Sequence, residues 1–214
     1  MKLRSAAIVT VAAQGVFIVG TVVGGAIEGH GYDARRHDIS DLAAVTAHHA
    51  ILARLSLGIA GAVTIAFALL VLRPALRTAD GHESIGAWLV ALSLAGWDNL
   101  SDAFFRLDCR AADVGCVSSA SFESWHAKVH LASYLIAGAA TVIAPFLLAR
   151  RMRRVDAWRN LAGPTRTAGF VIIAALATTA FTAGTPIQGW TQRLALFLIS
   201  LCVIPLAVHE VNAS

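Results

Sequence analysis

The sequence predicts an all-α fold: a six-helix transmembrane bundle with both termini cytoplasmic, formed as a single integral membrane domain over residues 1–214. Three observations predict it. The chain is 57% hydrophobic and only 14% charged, a balance that a water-soluble domain of this length does not carry. Apolar runs close to the roughly 20 residues needed to cross ~30 Å of hydrocarbon recur along the chain. Between them, the basic residues gather on alternate connections, as cytoplasmic loops require.

The first run, Ala6 to Ile27, follows MKLR and resembles a signal peptide. Its apolar part is longer than the usual ~7 to 15 residues and no A-x-A site closes it, so it reads as an uncleaved helix. Gln14 inside it reads as a helix-packing residue. The remaining runs are Ala50 to Leu72, Ile85 to Phe105, Ala127 to Ala149, Thr167 to Gly184 and Leu194 to Val208, the last two interrupted by Thr, Gly and Pro. A cytoplasmic amino terminus places Lys2, Arg4, Arg73, Arg77, Arg150, Arg151, Arg153, Arg154, Arg159 and Arg166 inside. The RRMRR cluster at 150 to 154 then lies against anionic headgroups, and the positive charge implies no nucleic-acid partner.

With this topology the titratable residues fall on one side. Glu28, Asp33, Asp38, Asp41, Asp98, Asp102, Asp108, Asp113 and Glu123 face outward, as do His30, His37, His48, His49, His126 and His130. The first outer loop, EGHGYDARRHDISDLAAVTAHH, permits a helix from Asp33 onward that sets Asp33, His37, Ser40 and Asp41 on one face. Two other readings stay open: carboxylates paired with Arg35 and Arg36 on a solvated helix, or Ser40 capping a helix that begins at Asp41. In the second outer loop, Cys109 and Cys116 on an oxidising side form a local disulfide, whereas thiol ligands at that spacing match no common zinc knuckle. Cys202 is a small core residue.

His126 and His130, in HAKVH, share a helical face at the i, i+4 spacing of helical metal sites. With His37 or Asp108 they would complete the three ligands a divalent metal such as zinc requires. In WDNLSD, Asp98 lies ~20 Å into the third run, with Asp102 and Arg106 each one turn further out. A lipid-facing carboxylate there would cost about 3 kcal/mol, so both must face the bundle interior. Arg106 is the counter-ion expected for Asp102, which leaves Asp98 without a cation and able to hold a proton. Helix-to-helix hydrogen bonding by Asp98, Asn99 and Ser101 is the structural alternative.

Three stretches, GYDARRHDISDLAA, FFRLDCRAADVGC and SWHAKVHLAS, together resemble the domain of unknown function 998 family, small bacterial and archaeal multi-pass membrane proteins. The resemblance covers roughly residues 5 to 210 and implies a multi-pass topology, but no activity. The chain departs from the common family form in Ala43, where a Gly often stands, and in the extra carboxylates of WDNLSD.

These readings predict an enzyme of the cell membrane that acts on a lipid or other apolar substrate, a prenyl chain among them, at an outward-facing Asp/His/Ser site. Either a metal on His126, His130 and His37 or Asp108 activates water for hydrolysis, or Asp98 protonates the substrate in an isomerase or cyclase. Asp33, Ser40, Asp41 and Asp102 would position or protonate the substrate. A small-solute or proton-coupled carrier and a structural subunit of an envelope complex are the alternatives. Lipid is the expected partner.

Overall fold

The computed structural model describes residues 3–29, 31–116 and 120–213; Lys2 and His30 lie outside them. All regular elements among the described residues are helical. They are α1 (Leu3–Ile27), α2 (Ala50–Ala75), α3 (Ile85–Ala91), α4 (Asn99–Asp102), α5 (Trp125–Met152), α6 (Ala162–Phe181) and α7 (Gln188–Ala213). Among the described residues, five helices are long and apolar enough to cross a membrane: Ser5–Ile27, Ala50–Ala75, Trp125–Met152, Asp156–Phe181 and Gln188–His209.

The third apolar run is helical but does not form one continuous helix. Ser84 caps α3 by accepting the Ala87 N–H at 3.3 Å, but the helix lasts only to Ala91. Ser93 is extended, with ψ of 175°, and the chain resumes as a π turn, Leu94–Asp98, that runs into α4. The break is satisfied rather than frayed: Thr141 Oγ1 of α5 accepts the Leu94 N–H at 2.9 Å, and Ser93 Oγ donates to the Val90 carbonyl at 2.7 Å. Two glycines allow it. A Cβ on Gly96 would stand 2.3 Å from the Ala91 carbonyl oxygen, and one on Gly61 of α2 only 2.4 Å from the Leu100 nitrogen. Hydropathy does not register this break, because the apolar content continues through it.

The helices close a ring. α1 packs on α2 and α7, α7 on α6, α6 on α5, α5 on α3 and the π turn, and α2 on the π turn and α4. Gln14 of α1 ties three helices together in the interior, donating to Thr64 Oγ1 of α2 at 2.9 Å and accepting from Ser200 Oγ of α7 at 2.5 Å. The core has two parts. One gathers Leu72, Leu76, Leu94, Leu148, Met152 and Trp158 near the arginine-rich end, where Arg73 pairs with Glu83 at 2.5 Å. The other, near the opposite end, packs Ile39 and Leu42 of the first long loop against Phe17, Ala53 and Leu57. Burying those two loop residues stabilises the loop's docking by about 2 kcal/mol each, and it fixes which way their polar neighbours point.

Candidate functional site

The first long loop is held in place from both sides. Gly29 and Gly31, with φ of +61° and +82°, turn the chain back over the bundle end after α1. Arg193 of α7 donates to the carbonyls of Ala34 and His37, each at 2.7 Å, and also meets the Tyr32 hydroxyl. Gln192 Oε1 accepts the Ile39 N–H at 2.7 Å. Such close approach needs Gly189, where a Cβ would lie 2.4 Å from the His37 carbonyl oxygen. Burial raises the Tyr32 phenol, against the opposing effect of Arg193, to about 12, so it stays a neutral hydroxyl and donates to the Asp38 carbonyl at 3.1 Å.

The helix expected from Asp33 does not form as one element. Residues 34–36 turn, and a single 3-10 turn follows at Ser40–Ala43. Ser40 is the first residue of that turn and not its cap, since Ile39 holds the cap position without a side-chain bond. Asp33 points away to Arg35, which it meets at 2.9 Å, and hydrogen bonds from that side chain and backbone N–H lower its carboxyl to about 2. The Asp33 N–H donates to His37 Nδ1 at 2.9 Å, so the neutral His37 ring carries its proton on Nε2. Burial lowers the His37 pKa and favours that neutral form.

The second long loop is pinned by a disulfide between Cys109 and Cys116, whose Cα atoms are 6.0 Å apart. Arg110 between them reaches back to the end of α1: it donates to Glu28 Oε1 at 2.6 Å and to Asp113 Oδ1 at 2.5 Å. Glu28 also accepts the backbone N–H groups of His48 at 2.8 Å and His49 at 3.1 Å. Burial alone would raise the Glu28 carboxyl, but those two donors and Arg110 more than offset it, and its pKa falls below the ordinary value. The Ala111 N–H donates to Asp41 Oδ1 at 3.2 Å, and the Val45 N–H to the Leu107 carbonyl at 2.9 Å, locking the loops together.

Between these loops and α5, α6 and α7 lies a cavity of about 390 Å³. Its wall includes His37, Asp38, Ser40 and Asp41 from the first loop, His130 and Tyr134 from α5, and Gln188 and Gln192 from α7. Gln188 Nε2 donates to Asp38 Oδ2 at 2.9 Å, but Asp38 Oδ1 and Asp41 Oδ2 are buried and have no hydrogen-bond partner among the described residues. Burial raises both carboxyls, Asp41 to about 6. Beneath the cavity, His130 Nδ1 faces Asp102 Oδ1 at 2.8 Å and the Phe105 carbonyl at 3.3 Å. Two acceptors at one nitrogen require Nδ1–H, so the neutral ring keeps its lone pair on Nε2. Asp98 lies deeper, accepting from Ser133, which also bonds Ser101 at 2.7 Å; Asp98 Oδ1 is buried without a partner.

The structure therefore gathers His37, Ser40, Asp41 and His130 around one cavity, with Asp102 and Asp98 behind His130, and leaves Asp33 outside the cavity wall. The counter-ion expected for Asp102 is corrected. Helix α4 ends at Asp102 and the chain turns at Ala103 and Phe104, so Arg106 no longer follows one turn along; His130 is the partner instead. Of the expected metal ligands, His37 and His130 share the cavity wall, while His126 and Asp108 are engaged elsewhere. His126 stacks on Trp125 with ring centroids 3.8 Å apart, and Asp108 Oδ2 accepts the Ser124 N–H at 2.8 Å. Hydrogen bonds from the Ser124 side chain and backbone lower the Asp108 carboxyl. Among the described residues, no three His, Cys, Asp or Glu side chains group so as to hold a metal ion. Sequence reasoning missed Asp38 as a wall residue, the Glu28–Arg110 pair, and Gln188, Gln192 and Arg193.

The profile of a family described as "Protein of unknown function (DUF998)" matches residues 11–209 of the chain. No curated protein and no solved structure matches it.

Proposed function

The chain belongs to that family, DUF998, and from this premise we propose that it is a membrane-embedded enzyme performing acid–base chemistry on a lipid or other apolar substrate. The observation that supports the reading most is the shared cavity, where Asp38, Ser40 and Asp41 stand across from a His130 held by Asp102. In this reading the bundle has both termini on the cytoplasmic side, with the broken third segment completing its six crossings, and the cavity opens at the outer face of the cell membrane.

The chemistry follows from the residues. The Asp102 carboxylate orients the imidazole and stabilises its cationic form, so His130 Nε2 serves as the base. Asp41, raised to about 6, keeps its proton in mildly acidic solution and a fraction of it toward neutral pH, and in that form serves as the acid. Ser40 and Gln192 position the polar part of the substrate, and no step is routed through a metal.

A specific observation favours one second reading, a proton-coupled carrier. The third segment is interrupted at mid-depth and carries Asp98 and Asp102, as the discontinuous helices of carriers do. The test is conversion of a total lipid extract by the full chain in proteoliposomes, followed by mass spectrometry. His130→Asn keeps a donor toward Asp102 but has no base, and Asp41→Asn has no acid. The enzyme reading requires a species that the wild type consumes and both variants leave. Equal conversion by all three proteins, or none by the wild type, would exclude it; a proton flux without conversion would favour the carrier.

A further inference from the structure

The acid–base cavity does not end at its polar wall. Tyr134 of α5 is shared with a second, open depression of about 380 Å³, lined by Leu135, Gly138, Val142 and Ile143 of α5, Leu176 of α6 and Leu94 of the π turn. The two are continuous on both helices. On α5 the wall passes from Leu131 through Tyr134 to Gly138 and Val142, positions at helical spacing along one stripe. On α6 it passes from Thr179 and Ala180 to Leu176, one turn away. From Tyr134 to Ile143 the groove is about 13 Å long, close to the ~15 Å of one leaflet's hydrocarbon. Leu135 and Ile143 are 61% and 47% exposed along it, so it opens sideways, where acyl chains would lie.

The polar end has its own chemical sign. Among the described residues the carboxylate oxygens Asp38 Oδ1, Asp41 Oδ2 and Asp98 Oδ1 are buried without a hydrogen-bond partner, whereas Asp102 Oδ1 has His130 at 2.8 Å. Two of them, on Asp38 and Asp41, belong to residues of the cavity wall. Asp41 itself is 3% exposed. Buried acceptors without donors are costly, so a group that supplies N–H or O–H is favoured there and a second carboxylate is not.

We propose that the site takes a single-chain amphiphile whose head is a hydroxyl or amino group, lodged among Asp38, Asp41 and His130, with its hydrocarbon chain in the groove along α5. This rests on the reading of the cavity as the substrate site. The groove also offers a variant: a Cβ at Gly138 would meet nothing within 4 Å, so Gly138→Leu starts a side chain in open space and directs it into the groove.

The experiment uses the full chain in phosphatidylcholine nanodiscs with dodecylamine, dodecanol and dodecanoate, each carrying a mid-chain diazirine, and maps the photolabelled peptides. The amine and alcohol are expected to label residues 135–143 and 172–180 at least tenfold more than dodecanoate does. Gly138→Leu is expected to cut that labelling at least tenfold with an unchanged melting profile, and Asp41→Asn to narrow the preference for amine over dodecanoate. Equal labelling by dodecanoate would overturn the head assignment. Labelling that Gly138→Leu leaves intact, or that spreads evenly over α1, α2 and α7, would overturn the groove. Selective labelling without any lipid conversion would uphold this proposal and remove the catalytic reading; conversion with unselective labelling would do the reverse.

Discussion

Glu28 and Asp41 are both almost inaccessible, 1% and 3% exposed, and stand at the same end of the bundle, yet their surroundings differ in what answers their oxygens. Glu28 has Arg110 and two backbone donors, with Asp113 completing the network on the far side of the guanidinium. Asp41 has one weak backbone donor, a like charge nearby in Asp38, and an oxygen left open on a residue of the cavity wall. Satisfying every oxygen makes a clamp that holds two loops to α1. Leaving acceptors open makes a site that a ligand can complete.

Replacing the clamp's cation is expected to have the largest effect. Arg110→Gln strands a buried Glu28 carboxylate and should lower stability by about 3–5 kcal/mol, read from chemical unfolding of the chain in micelles. Asp113→Asn should cost less, because that side chain is 22% exposed and Glu28 keeps its cation. If the two variants cost the same, Glu28 is not the residue the clamp serves. His130→Asn on the other side of the comparison should slow lipid conversion by at least ~100-fold, about 3 kcal/mol of barrier, while unfolding shifts little.

The two acids also predict opposite responses to pH. Asp41 has a folded value raised to about 6 from an ordinary 3.8, so its contribution is full below about 3.8 and is lost as pH rises through about 6. The loss is on the order of 3 kcal/mol, and Asp41→Asn should remove it from a stability profile. Glu28, with a lowered value, contributes above its ordinary 4.5 and loses that contribution as pH falls through its folded value. A smaller effect is expected from the Cys109→Ser/Cys116→Ser pair. It opens a short loop, should cost about 2 kcal/mol, and should loosen the cavity wall that Cys116 helps to form, seen as faster amide exchange over residues 107–116.

Much of the helical plan was legible because length and hydropathy determine which runs are apolar enough to cross a membrane. The third run was not, since its break depends on the contact between Gly61 and Gly96 across two helices, and no local pattern carries that. The one-sided clustering of acids and histidines pointed to His37, Asp41 and His130 because it needs only topology, while Ser40 came from a helical face that does not form. Pairings failed where they assumed a continuous helix. Asp102 and Arg106 are one turn apart only if the helix goes on, and it ends at Asp102. Glu28 and Arg110 are 82 residues apart, and Arg193 reaches Ala34 over 159, so neither pairing leaves a spacing to read.

The most direct test of the central claim, that the unanswered acids do the chemistry and the answered ones hold the fold, is the pH profile of lipid conversion in proteoliposomes. With Asp41 as the acid, conversion should fall as pH rises through about 6, and Asp41→Asn should abolish that limb along with most of the rate. A profile flat between about pH 5 and 8, or the same limb in Asp41→Asn, would contradict it.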